Sequence, residues 1–104
     1  MSDLLERIST LLGASTRDLD QIEHTLTDGY AHALSLEAER WRLERRATGL
    51  SRGIEHGDTL SKARELADVA KRLESTDSDL AQLRGALNEL RRHADDVRIG
   101  SPAA

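Results

Sequence analysis

From Leu19 onward the apolar residues alternate at spacings of three and four: Leu19, Ile22, Leu26, Gly29, Ala33, Leu36, Arg40, Leu43, Ala47, Leu50 and Ile54. Only Gly29 and Arg40 interrupt the run. A second run keeps the same rhythm: Leu66, Val69, Leu73, Thr76, Leu80, Leu83, Leu87, Leu90, Ala94 and Val97, with Thr76 its one polar member. Spacing of this kind puts every member on one stripe of a helix, and its persistence over several heptads is the mark of helices that pack lengthwise, as in a coiled coil. The pattern predicts two long helices over 16–50 and 59–98 and a flexible tail over 99–104. Ser15 with Asp18 is expected to cap the first and Asp58 or Thr59 the second, with Gly100 and Pro102 ending it.

Between the runs lie Gly49, Gly53 and Gly57, four residues apart. They read either as a close-packing ridge on one continuous helix or as a turn. Carried forward, the first stripe lands on Gly57, Ser61 and Arg64, so its phase is lost there. Three interior glycines would also cost a continuous helix about 1 kcal/mol each relative to alanine. The expectation is therefore a turn over 51–58 and an antiparallel hairpin. Ahead of it, residues 3–12 carry Leu4, Leu5, Ile8, Leu11 and Leu12 on one face, with Asp3 and Glu6 at capping-box spacing. This short amphipathic helix is expected to fold back onto the long ones. The fold class is all-α, a single helical domain over 1–104.

A second stripe flanks the first. Tyr30, Leu34, Ala38 and Trp41 follow helical spacing on the first long helix, and Ala63, Ala67, Ala70 and Ala81 do so on the second. With the turn near residue 55, Trp41 would lie level with Ala67 to Ala70 and is expected to pack there. An apolar face wider than one neighbour can cover is the condition for a bundle. Two hairpins forming a homodimeric four-helix bundle satisfy it, as would another helical protein. The interface is expected at Leu19, Ile22, Leu26, Tyr30, Leu34, Leu36, Trp41 and Leu43 of the first helix and Leu66, Leu73, Leu80, Leu83, Leu87 and Leu90 of the second.

Composition narrows the function without naming it. A chain of 104 residues with one Trp, one Tyr and no Phe has limited means to build a large core. Mixed charge with a net of −4 argues against nucleic acid as a partner. With no Cys there is neither a disulfide framework nor a thiolate metal site. No apolar run is long enough to span a membrane, and no basic-then-apolar leader is visible, so the expected location is cytoplasmic.

Three acid–histidine pairs stand at i,i+4: Asp20 with His24, Asp28 with His32, and Glu89 with His93, while Glu37 and Glu39 could add oxygen ligands. None lies on a stripe position, where an inward-facing metal site must be built. No nucleophile is placed beside a base, so neither enzyme activity nor a cofactor is expected. The segment 39–46, ERWRLERR, concentrates Arg40, Arg42, Arg45 and Arg46 around Trp41. It reads as a solvated face balanced by Glu37, Glu39 and Glu44. Arg40, standing in the stripe, is expected to meet Asp77 or Glu74 and set the register.

In length and hairpin plan the chain resembles the small secreted WXG-type helical hairpins of Gram-positive bacteria. Their Trp-x-Gly turn motif is absent, since Trp41 is followed by Arg42 and Leu43. The expected function is a non-enzymatic helical interaction module: a scaffold, adaptor or small regulatory subunit. A metal-binding helical bundle and a secreted hairpin of WXG-like size are the alternatives.

Overall fold

A computed structural model describes residues 2–57 and 59–100, apart from the side chain of Glu55. Three helices follow one another: α1 (Ser2–Gly13), α2 (Leu19–Glu55) and α3 (Thr59–Arg98). The described residues contain no strand. The expected Asp58 cap and residues 101–104 of the tail lie outside the described residues.

The helix ends follow from local chemistry. α1 stops because Ser15 adopts the left-handed conformation, with φ of 51°. The Ser15 amide then donates to the Leu12 carbonyl at 3.2 Å and the Thr16 amide to the Leu11 carbonyl at 3.4 Å. This pair of bonds satisfies carbonyls that the last turn leaves open. Ser15 therefore closes α1, and the expectation that it helps cap α2 is corrected. Asp18 caps α2 without it, its Oδ1 accepting from the Gln21 amide at 3.2 Å. Thr16 Oγ1 accepts in turn from the Asp18 amide at 3.2 Å.

The expected turn over 51–58 is also corrected. α2 continues through Glu55, and of the three glycines only Gly57, with φ of 143°, lies in the turn. Leu50 and Ile54 explain the continuation: both are half-buried on the stripe, so helix up to residue 54 still covers apolar surface. Gly53 supplies room. A Cβ there would stand 2.6 Å from Lys62 Cδ, so the bare backbone lets the Lys62 stem lie across α2.

The chain falls into two compact units, Ser35–Leu80 and Met1–Leu34 with Ala81–Ala104. Within Ser35–Leu80, α2 and α3 form the antiparallel hairpin, and Leu36, Leu43, Val69, Thr76 and Leu80 are buried. Arg40 meets Asp77 as the sequence suggests, Nε to Oδ1 at 2.8 Å. Both groups are about half exposed, which limits the pair to roughly 1 kcal/mol or less. α3 runs unbroken through Glu74–Asp79, although those residues are poor helix formers. Buried Thr76 on its stripe holds that segment in place.

In the other unit all three helices contribute to one core. α1 supplies Leu4, Ile8 and Leu11; α2 supplies Ile22, Leu26 and Ala33; α3 supplies Leu83, Leu87, Leu90 and Ala94. The expected return of the short helix onto the long ones is what the unit displays. Polar ties hold α1 and its linker. Arg7 Nη2 reaches Asp28 Oδ2 at 3.0 Å and the buried Thr25 Oγ1 at 3.3 Å. His93 Nε2 donates to the Thr16 carbonyl at 2.6 Å. Arg98 Nη2 meets Glu23 Oε1 at 2.7 Å, and that hydrogen bond raises the guanidinium pKa above its ordinary value.

Gly29 is buried where α2 packs against α3: an added Cβ would overlap Leu87 Cδ2, and Leu87 is itself only 2% exposed. Gly85 on α3 is exposed, with open space around it. Gly29→Ala is therefore expected to destabilise by about 1–3 kcal/mol, despite the better helix propensity of alanine. Gly85→Ala is expected to stabilise by about 0.5–1 kcal/mol. Urea unfolding of the two variants measures both signs.

Candidate interaction surface

The two stripes read from the sequence are the surfaces on which α2 and α3 are buried. Ile22, Leu26, Leu36 and Leu43 on α2 and Leu80, Leu83, Leu87 and Leu90 on α3 are buried, and Leu19, Leu66 and Leu73 are half-buried. Arg40 alone among the stripe positions is exposed, because its guanidinium reaches out to Asp77. In the three-helix unit the stripe residues Ile22, Leu83, Leu90 and Ala94 are wholly inaccessible. In the two-helix unit Ala47, Leu50, Ile54, Leu66 and Leu73 remain half-open. Two helices shield a stripe from its front and leave its sides open, whereas a third closes one side.

The flanking stripe behaves differently. Tyr30 is 43% exposed, Leu34 67% and Trp41 71%. Ala38 on α2 and Ala63, Ala67, Ala70 and Ala81 on α3 are not buried in the core either. The expected packing of Trp41 on Ala67 to Ala70 is therefore overturned. The turn falls later than expected, so the Arg40–Asp77 pair puts Trp41 near the level of Thr76. Arg40 points to the α3 side, and the next residue along a helix is rotated by about 100°. That rotation carries the indole away from the hairpin.

The basic segment divides by direction. Arg40 pairs with Asp77 and, at 3.4 Å, with Glu44; Arg46 pairs with Glu65 at 3.4 Å. Arg42 and Arg45 are exposed and have no acid partner among the described residues. Trp41, Glu44, Arg45, Thr48, Gly49 and Arg52 line an open depression of about 500 Å³ on the outer face of α2. Gly49 is one of its lining residues, and an added Cβ there would meet nothing within 4 Å. An aromatic ring beside an unpaired guanidinium and an open hollow has the composition of a protein-binding hot spot.

A second depression, of about 560 Å³, lies in the three-helix unit and is lined by Asp3, Glu6, Arg7, Thr10, Leu11, Gln21, His24 and Thr25. Its arginine, Arg7, is held by Asp28. His24 approaches Asp28 at 3.7 Å rather than Asp20, Asp28 is itself held by Arg7, and the Nε2 of His93 is taken by a backbone carbonyl, so each of the three acid–histidine pairs has a member in another contact. Among the described residues no group of three or more His, Asp or Glu could hold a metal ion. No helix of the described residues is long and apolar enough to cross a membrane.

Sequence reasoning missed His93 as the anchor of the α1–α2 linker and Gly49 as part of the exposed face beside Trp41. No spacing rule could have found the first, because the bond joins residues far apart in the chain. The second was legible as an exposed glycine about two turns from Trp41. No protein-family model matches the chain, and no curated protein or solved structure matches it either.

Because Trp41 projects from the hairpin, Trp41→Ala is expected to change the stability of the single chain by less than about 0.5 kcal/mol. Indole emission should be that of a water-exposed ring in dilute protein. Thermal melts and fluorescence at sub-micromolar concentration check both.

Proposed function

We propose that the chain is a non-enzymatic helical protein–protein interaction module, a scaffold, adaptor or small regulatory subunit. In this reading it acts by associating with a second copy of itself, through coiled-coil packing in a four-helix bundle. The observation that carries the reading is the unequal cover of one continuous apolar pattern. The stripe is the more fully buried in the three-helix unit, where Leu19 and Val97 are half-buried, whereas in the hairpin of Ser35–Leu80 Ala47, Leu50, Ile54, Leu66 and Leu73 are.

Energetics support the same conclusion. Each fully buried leucine contributes about 1.5–3 kcal/mol relative to an exposed one, and half-burial forfeits part of that. Leu50, Ile54, Leu66 and Leu73 all stand in this condition within a single hairpin. Closing their open sides with further helix recovers the difference, and a symmetric dimer does so with no second gene product. The mixed, balanced surface charge suits helix–helix contact better than binding of a polyanion.

Sedimentation equilibrium of the full chain across roughly micromolar to millimolar concentrations tests the reading. The expected result is a reversible monomer–dimer equilibrium. A chain that stays monomeric and fully folded across that range would contradict it.

A further inference from the structure

We infer that the outer line of α2 in the hairpin of Ser35–Leu80, in which Trp41 is followed by Arg45 and Arg52 with Arg42 at the edge, docks an acidic helical segment of a partner protein. The inference is separate from the self-association proposed above, which rests on the half-buried stripe of the same helix.

Helical spacing builds the line. Positions 41, 45, 48 and 52 follow one another at i, i+4, i+7 and i+11, so they share one face over about 16 Å. Leu43, buried in the hairpin, stands two residues from Trp41 and hence about 200° around the helix. The line thus faces away from α3. Trp41 is 71% exposed, and Arg42, Arg45, Thr48 and Arg52 are exposed with it.

Charge identifies the occupant. Arg40 and Arg46 turn to α3, where they meet Asp77 and Glu65. Glu44, which could neutralise the line, turns to Arg40 instead. Arg42, Arg45 and Arg52 have no acid partner among the described residues, and the sequence holds no acid from Arg45 to Ile54. Exposed arginines elsewhere have acids close by in the sequence: Arg72 is followed by Glu74, and Arg91 and Arg92 lie between Glu89 and Asp95. On a chain with a net charge of −4, this line is a local concentration of uncompensated positive charge beside the one tryptophan.

Carboxylates on a helix match it. A guanidinium grips a carboxylate through two parallel N–H donors. A helix with Asp or Glu at the same three–four spacing presents its acids to Arg45 and Arg52 together. An apolar residue one turn further along then covers the indole, and Trp and Arg are the residues that most often anchor protein interfaces. Covering the ring also removes water from the neighbouring ion pairs and strengthens them. An anionic bilayer fits less well, because lipid-binding clusters are richer in basic residues than this line. Nucleic acid fits less well, because the rest of the chain repels a polyanion.

Trp41 is the chain's one tryptophan, so its emission reports on the line directly. The test titrates the full chain, at sub-micromolar concentration and low ionic strength, with a synthetic helical peptide. The peptide carries glutamate at three–four spacing and a leucine one turn away, and its control has lysine for each glutamate. The acidic peptide should move the emission to the blue and saturate, the lysine peptide should leave it unchanged, and added salt should weaken the effect. Arg45→Glu and Arg52→Glu should each weaken binding by at least about tenfold. Arg91→Glu makes the same charge change in the other unit and should weaken it by less than about twofold, since screening limits a distant charge. Circular dichroism should show helix content retained in all three variants. Emission that the acidic peptide leaves unchanged would overturn the inference, as would a loss with Arg91→Glu equal to that with Arg45→Glu. Phosphatidylserine vesicles or a single-stranded oligonucleotide that shift the emission at lower concentration than the acidic peptide would also overturn it.

Discussion

Everything in this fold depends on covering one narrow apolar stripe that runs the length of two helices. The stripe repeats at three and four residues, so each long helix can bury it only by lying along another helix. A single neighbour covers its front. The sides stay open unless a further helix arrives, and the chain supplies one, α1, to one of its two compact units. Leu83 and Leu90, in the unit that α1 joins, are closed to solvent, while Leu66 and Leu73 of the hairpin are half-buried.

Close approach of the helices rests on small residues placed where they meet. Gly29 brings the backbone of α2 against the Leu87 side chain, and Gly53 lets the Lys62 stem cross near the turn. Charges then fix which residues face one another. Arg40 with Asp77 and Arg46 with Glu65 do so in the hairpin, and Arg98 with Glu23 in the three-helix unit. All are partly exposed, so they choose register more than they add stability. His93 and Arg7 act differently. They fasten the linker and α1, without which the core of Ile8, Ile22 and Leu90 would be open.

Much of this is legible in the residues. The three–four alternation identifies nearly every buried position of α2 and α3, because a heptad stripe encodes burial directly. The Arg40–Asp77 pair is legible from a charge standing in an apolar row. The conformational freedom of Gly49 and Gly53 points to a turn that begins too early. Their neighbours Leu50 and Ile54 continue the stripe, and burial outweighs propensity. Trp41 misleads for a related reason. Helical spacing ties it to Leu34 and Ala38, but spacing does not say whether such a row faces the same chain or another. Ser15 in a left-handed cap is hidden altogether, since that site ordinarily belongs to glycine.

The proposed self-association would bring a second copy onto the hairpin of Ser35–Leu80 and leave the three-helix unit unchanged. Amide hydrogen exchange across a protein concentration series reads the two units separately. The account predicts slow, concentration-independent exchange for the buried amides of 22–33 and 83–94, and exchange over 36–54 and 62–80 that slows as concentration rises. Protection of the hairpin amides that is equally strong at every concentration would contradict it.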